Sequence, residues 1–317
     1  MVACRMINEK DTHIPVLMNE VMTHLDVKPD GIYVDATFGR GGHAAAILEK
    51  LGPNGRLFAL DKDPRAVAVA RLRYADDKRF VIEHDSFANM QKFVARMNFF
   101  GKVDGVLLDL GVSSPQLDEA ERGFSFMRDC KLDMRMNTEA GIDAATWIAN
   151  VSETELARVI WEYGEERYSR RIAKRIIEKR MEAPISTTKQ LAEIVSAAIP
   201  RWQKGKHPAT RSFLAIRIEI NHELDDLHLG LAQSLEILKI GGRLLAISFH
   251  SLEDRVVKRF VQQHERGTDF PPGLPVTQDQ INVRLRRRGK AIKPSDAEIS
   301  VNPRARSAVL RIAEKLS

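Results

Sequence analysis

Gly31-Ile-Tyr-Val-Asp-Ala-Thr-Phe-Gly-Arg-Gly-Gly-His-Ala-Ala-Ala-Ile-Leu-Glu-Lys-Leu51 is the stretch on which the reading of this chain turns. A short β-branched and aromatic run, Ile32 to Thr37, is broken by Gly39, Gly41 and Gly42. Helix formers follow, with apolar residues at Ala44, Ile47, Leu48 and Leu51. The pattern reads as strand, tight glycine turn, helix. Gly39, Gly41 and Ala44 match the G-x-G-x-x-G/A spacing, in which missing side chains let the backbone approach a ligand and helix N-terminal N–H groups face it. The same three residues would also serve a turn that binds nothing. A second unit weighs on the side of a ligand. Gly55 to Asp61 reads as a buried strand that closes on an acid 22 residues after Gly39, and Pro64 to Arg73 reads as the helix after it. An acid at that place accepts hydrogen bonds from ribose hydroxyls.

Further units repeat the rhythm. Phe80 to Glu83 is a strand ahead of His84-Asp85-Ser86-Phe87, and Val103 to Gly111 carries Asp109 at its end, ahead of Val112-Ser-Ser-Pro-Gln116. Alternating strands and helices predict a doubly wound, mostly parallel sheet of the α/β class, whose ligands sit at the carboxyl ends of the strands. The glycine turn, Asp61, Phe87 and Asp109 all fall on that rim. Upstream, Leu17, Val21 and Leu25 lie at helical spacing and predict a helix covering one edge of the core.

The alternation stops at Gly123. Phe124 to Met136 mixes aromatics, arginines and acids, and helices without strands follow. Ser152-Glu-Thr-Glu155 is a capping box, a helix is expected from Glu165 to Met181, and Thr187-Thr-Lys-Gln190 opens another. Residues 141–206 therefore read as a helical insertion, with residues 1–140 and 207–317 as the two parts of the sheet domain. Arg170-Arg171, Lys174-Arg175 and Lys179-Arg180 recur at helical spacing, either as a nucleic-acid face or as a solvated one. A long helix is expected from Thr210 to Leu238. A strand from Arg243 then ends near His250, where Ser251 is the expected N-cap of a further helix and His250 is placed to touch a substrate. The run 284–306 is the most basic part of the chain and suits phosphate contacts. A last strand is expected from Ser307 to Ile312.

The composition narrows the function classes. The 317 residues carry a net charge of +6, which favours a polyanionic partner without requiring one. Cys4 and Cys130 have no paired spacing with each other or with histidines, so neither a disulfide framework nor a metal site is expected. No apolar run is long enough to span a bilayer and the N-terminus lacks a signal-peptide pattern, so a cytoplasmic protein without a membrane partner is expected.

The glycine turn and Asp61 fit either a nicotinamide dinucleotide or S-adenosylmethionine. Asp109-Leu-Gly-Val-Ser-Ser-Pro-Gln116 fits loosely the acidic strand end and polar-Pro loop of amine-methylating enzymes, for which a dehydrogenase has no need. Nine segments, in order, resemble the bacterial small-subunit (16S) ribosomal RNA cytosine-N4 methyltransferases. They are His13-Ile-Pro-Val-Leu17, Asp35 to His43, Leu108 to Asp118, Gly123-Phe-Ser-Phe126, Leu132-Asp-Met-Arg-Met136, Tyr163-Gly-Glu-Glu-Arg167, Lys206-His-Pro-Ala-Thr-Arg211, Ile247 to Arg255 and Asn302-Pro-Arg-Ala-Arg-Ser307. The resemblance covers nearly the whole chain. It implies a Rossmann-like, class I fold, S-adenosylmethionine as methyl donor, and as acceptor the exocyclic amine of a cytidine in the decoding centre of 16S rRNA within the small subunit. It implies further that Gly41, Gly42 and His43 hold the donor's amino-acid end and Asp61 its ribose, that Phe87 lies by the adenine, that Asp109 and Gln116 complete the pocket, and that the protein is a homodimer. Cys130-Lys131 stand where the family usually has Gly-Pro, and Asn137 where an acid is usual.

A cytosine amine is a poor nucleophile because its lone pair is delocalised into the ring. Asp109 or the Ser113-Ser114-Pro115 turn is therefore expected to accept hydrogen bonds from it and take its proton. Gln116 is not aromatic, so Phe124 or Phe126 is the candidate stacking surface for the base. Two other functions remain at this point: a nicotinamide-dependent oxidoreductase, which would bind NADH, and a ribosome-assembly factor without catalysis, which would transfer no methyl group.

Overall fold

A computed structural model describes residues 15–201, 205, 207–267 and 282–317. Cys4, His13, Ile14 and Lys206, named above, lie outside the described residues. The chain builds a seven-stranded sheet from β1 (Ile32–Asp35), β2 (Arg56–Asp61), β3 (Phe80–His84), β4 (Val103–Asp109), β5 (Leu238–Ser248), β6 (Leu285–Arg287) and β7 (Val309–Lys315). The order is β3-β2-β1-β4-β5-β7-β6. The first five strands are parallel, and β7 runs antiparallel to both β5 and β6. β1 lies between β2 and β4, so the strand order reverses there, and the glycine turn leaves the sheet at that reversal. This is where open α/β sheets form their ligand crevice.

The strands are apolar on both faces, as buried parallel strands must be. On one face Tyr33, Leu57, Leu107 and Leu245 pack with α1 (Met18–Leu25) and with α2 (Gly42–Lys50). On the other, Val34, Phe58, Val106 and Leu244 meet α4 (Met90–Arg96), α11 (Glu223–Ile237) and α12 (Ser251–Arg266). The one-residue alternation of Tyr33 and Val34 between these clusters is the pleat of β1. A further helix, α3 (Pro64–Arg73), spans the expected residues, with the side chain of Asp63 accepting from the Arg65 N–H at 3.0 Å.

A separate apolar cluster gathers Phe124, Leu132 and Met134 with residues of α6 (Ala144–Asn150), α7 (Glu153–Glu162), α8 (Ser169–Glu182), α9 (Thr188–Ala198) and α10 (Thr210–Asn221). Ser152 caps α7 and Thr187 caps α9, each by accepting from the backbone N–H three residues on. The irregular stretch after Gly123 is thus part of a core.

Several details differ from the sequence expectations: the strand expected from Arg243 already begins at Leu238, and the last strand is Val309–Lys315. The long helix from Thr210 breaks at His222, which takes φ 52° and ψ 37°. Asn221 anchors the break, donating to the Met134 carbonyl at 2.7 Å and accepting from the Met136 N–H at 2.7 Å. The helix expected from Glu165 starts at Ser169, because Glu165 has φ 48° and cannot continue a right-handed turn. His250, not Ser251, is the N-cap of α12, with Glu253 as its partner in the capping box. The basic run includes an edge strand, β6, with Leu285 buried and Arg286 and Arg287 exposed. No helix among the described residues is long and apolar enough to cross a membrane.

Candidate functional site

The carboxyl ends of β1, β2 and β4 each close on an acid: Asp35, Asp61 and Asp109. Between them runs the glycine turn, where Gly39 and Gly41 hold φ 54° and 71°. A Cβ at Gly41 would collide with the Phe38 ring, and one at Gly42 would collide with Pro15. The turn is therefore bare of side chains because neighbouring rings fill the space behind it. Asp61 braces it. Its Oδ2 accepts from the Gly39 N–H at 2.7 Å and its Oδ1 from the Asp63 N–H at 2.7 Å. The leading amides of α2 begin immediately after the turn and have no partner within their own helix.

Burial dominates the electrostatics. It pushes Asp61 up to about 6 against the N–H groups that favour its ionised form. Asp35 rises to about 7 through burial and then through the charge of Asp61. Asp109 rises to about 8 through burial, reinforced by the nearby charges of Asp35 and Glu253. Asp35 Oδ2 and Asp109 Oδ1 are buried atoms with no hydrogen-bond partner among the described residues. His43 Nε2 lies 3.6 Å from Asp109 Oδ2. Three carboxyls that burial holds above their ordinary range, with neighbouring acids adding to the effect, make a pocket suited to a cation. A dinucleotide pyrophosphate would set two more negative charges against them. The pocket thus fits a sulfonium and ammonium ligand and disfavours the oxidoreductase reading.

The structure brings Gly41, Gly42, His43, Asp61 and Asp109 to one rim. Gln116 and Phe87 are engaged elsewhere. On the short helix α5 (Ser114–Asp118), Gln116 accepts from the Ser113 N–H at 2.9 Å and donates to Asp63 Oδ2 at 3.0 Å. The same Asp63 oxygen receives Arg122 Nη1 at 2.7 Å, and all three side chains are buried. Asp63 thereby ties the end of β2 to the loop after β4. Phe87 packs its ring over Gly230 of α11, where any side chain would displace it. Phe124 is 7% exposed within the helical cluster, so it offers no face to a base. Phe126 is half-buried, with its ring centroid 4.4 Å from that of His207 and 4.9 Å from that of Phe213.

Sequence reasoning passed over several groups. Asp35, Asp63 and Arg122 are three of them. A fourth is Glu253, buried beside the β4 loop, which accepts from the Phe249 N–H at 2.8 Å and meets His250 Nε2 at 3.1 Å. Arg217 joins this corner through a two-bond pair with Glu223, both bonds 2.8 Å. Glu223, His250 and Glu253 offer oxygen and nitrogen atoms within 4.8 Å of one another, but Arg217 and the Phe249 N–H already occupy the two carboxylates. Glu165 docks the helical cluster on the rim, receiving Arg255 Nη2 at 2.9 Å and Ser251 Oγ at 3.0 Å. Of the cations on α8, Arg175 and Lys179 pair with Glu178 and Glu182. Arg180 holds the Ile148 and Val151 carbonyls.

Comparison with known proteins decides between the readings. The model of the MraW methylase family matches residues 10–316. The chain belongs to the MraW methylase family. Curated relatives called Ribosomal RNA small subunit methyltransferase H are 56% identical, one from Coxiella burnetii over 97% of this chain and 100% of its own, one from Pseudoalteromonas atlantica over 96% and 98%. A third relative of that name, from Thioalkalivibrio sulfidiphilus, is 56% identical over 96% and 98%. An rRNA methylase structure from Streptococcus thermophilus covers 95% of this chain and 94% of its own at 12% identity and TM-score 0.41, too distant to bear on the site. As an MraW methylase the chain is an S-adenosylmethionine-dependent methyltransferase.

Proposed function

We propose that this MraW methylase transfers a methyl group from S-adenosylmethionine to the N4 amine of a cytidine in the decoding centre of 16S rRNA, with the small ribosomal subunit as its partner. The observation that carries the reading is the ring of acids around a side-chain-free turn: Asp35, Asp61 and Asp109, all held above the ordinary carboxylate range where a cation belongs. Gly41, Gly42 and His43 would hold the donor's amino-acid end, Asp61 its ribose and Phe87 the neighbourhood of its adenine. Gln116 completes the pocket by fixing the β4 loop through Asp63. Bound there, S-adenosylmethionine supplies an electrophilic methyl that already carries its leaving group, so the protein's main task is alignment.

The remaining chemistry belongs to this chain's own groups. A cytosine amine becomes nucleophilic as it pyramidalises, and acceptors beside it favour that form. Asp109, whose side chain is partly exposed at the rim, is placed to accept the amine's proton. The Ser113-Ser114-Pro115 segment that opens α5 is the second candidate, although its Pro115 carbonyl already accepts from the Glu119 N–H at 2.8 Å. A cation in the pocket lowers the raised proton affinity of Asp109, so the carboxylate becomes ionised when the donor is present. The helical unit at 141–206 would recognise the substrate, held to the rim by Glu165. A cytoplasmic homodimer is the working form that goes with this reading. Mapping of methylated nucleosides in small-subunit RNA, from cells with and without the protein, tests it. Loss of N4-methylcytidine from the decoding centre alone is expected; an unchanged map would remove the substrate assignment.

A further inference from the structure

The positive charge of this protein is concentrated. Residues 282–317 carry ten Lys and Arg against three Asp and Glu, while the other residues carry 39 against 40. That segment folds along the edge of the sheet opposite β3, where β6, the turn at Gly289 and β7 face α12. Between them lies a shallow concavity of about 20 Å³, lined by Lys258, Arg287, Lys290 and Arg311 together with Gln262 and apolar or backbone groups. No carboxylate is among the lining residues. Two of the cations are held from outside it: Arg311 by Asp254, at 2.7 and 3.0 Å, and Arg287 by Glu265 at 3.2 Å. Lys258 and Lys290 are exposed and form no ion pair among the described residues. Four cations from three separate parts of the chain thus converge on one hollow, two held in fixed orientation and two with uncommitted charge.

We infer that this groove binds a backbone phosphate of the RNA substrate. The two anchored guanidiniums keep N–H donors beyond those their carboxylates use, and the ammonium groups of Lys258 and Lys290 supply the uncompensated charge that a phosphodiester neutralises. Such a contact positions RNA without reading its sequence. Lys258 follows Ser251, at the rim, by seven residues along α12, a rise of about 10 Å. A strand seated in the groove therefore runs beside the helix that begins at the rim, on the side away from the glycine turn. The proposal rests on RNA being the substrate, and the experiment separates the two.

The full-length protein and its Lys258→Ala/Lys290→Ala variant are titrated with small ribosomal subunits lacking the modification, at several salt concentrations, with turnover measured in parallel. The variant is expected to bind several-fold more weakly and to raise KM with kcat kept. Its slope of log affinity against log salt flattens by about 0.7–0.9 for the lost phosphate contact. Lys258→Arg/Lys290→Arg restores both, and melting temperature and donor affinity stay at the wild-type values in all forms. A variant with wild-type affinity and salt slope overturns the groove and leaves the substrate reading intact. Loss of melting temperature or donor affinity assigns the lysines to the fold and also overturns it. Wild-type binding that inorganic phosphate competes away no better than chloride at equal ionic strength supports the site as one for RNA, and selective competition by phosphate overturns it in favour of a free-phosphate site. Failure of the wild-type protein to bind or methylate the subunits overturns the substrate reading and the groove together.

Discussion

Asp109 sits where two influences meet, the low-dielectric floor of the sheet and the charges of Asp35 and Glu253, with the imidazole of His43 3.6 Å from its Oδ2. With the donor absent it holds its proton up to about pH 8. Two expectations follow from one shift. The kcat/KM profile rises with pH, with its ascending limb above the ordinary carboxylate range, and Asp109→Asn abolishes the limb and most of the turnover while donor binding by calorimetry survives. Stability moves the other way. A carboxyl whose proton affinity is raised by folding favours the fold below its unfolded value and loses that advantage as pH climbs to the folded one. Asp35, Asp61 and Asp109 therefore make the donor-free protein less stable as pH rises from about 4 to about 8. Asp109→Asn gains melting temperature at pH 8 over wild type by more than it does at pH 5, a comparison that scanning calorimetry makes directly. Arg122 is a separate case, its guanidinium and Asp63 being buried as a pair. Arg122→Ala strands that carboxylate and costs about 3–5 kcal/mol by denaturant unfolding. Asp61 and Asp109 were legible as acids closing strands, and Asp35 closes β1 by the same signal. Asp63 and Arg122 were not, because 59 residues separate them and nothing local announces a partner.

At the level of the elements, the turn after β1 is determined by backbone conformation more than by composition. Gly41 at φ 71° with the Phe38 ring behind it excludes any Cβ. Gly41→Ala carries a left-handed strain of about 1–2 kcal/mol. It also displaces the turn, so titration calorimetry should show donor affinity reduced about tenfold or more while the sheet stays folded by circular dichroism. A cap far from the site behaves differently: Thr187→Ala removes the acceptor for the Gln190 N–H and costs about 1 kcal/mol of stability with donor affinity unchanged. The parallel units and these caps could be read from hydrophobic runs and Ser/Thr signals. The break at His222 could not, because no glycine or proline marks it. It exists because the Asn221 amide is claimed by the backbone of Met134 and Met136, a tertiary contact that overrides a helical pattern. The start of α8 shifted for a similar reason: Glu165, left-handed, reaches Arg255 and Ser251 across the rim.

The whole molecule is electrostatically divided. Acids gather around the glycine turn at the centre of the sheet, and the charge excess lies along its β6 edge in residues 282–317. The basic character of that segment was plain in the sequence. Its folding into an edge strand and a groove was not, because a run of arginines gives little apolar alternation beyond Leu285. Such a division suits a protein that must hold a small cation in one place and a polyanion in another, and it ties donor chemistry to RNA chemistry in one chain. The most direct test follows a labelled methyl group. The protein is incubated with tritiated S-adenosylmethionine and small subunits lacking the modification, and the RNA is digested to nucleosides. The account predicts label in N4-methylcytidine with wild-type protein, and almost none with Asp109→Asn at equal donor occupancy. Label in any other nucleoside, or undiminished transfer by the variant, would contradict it.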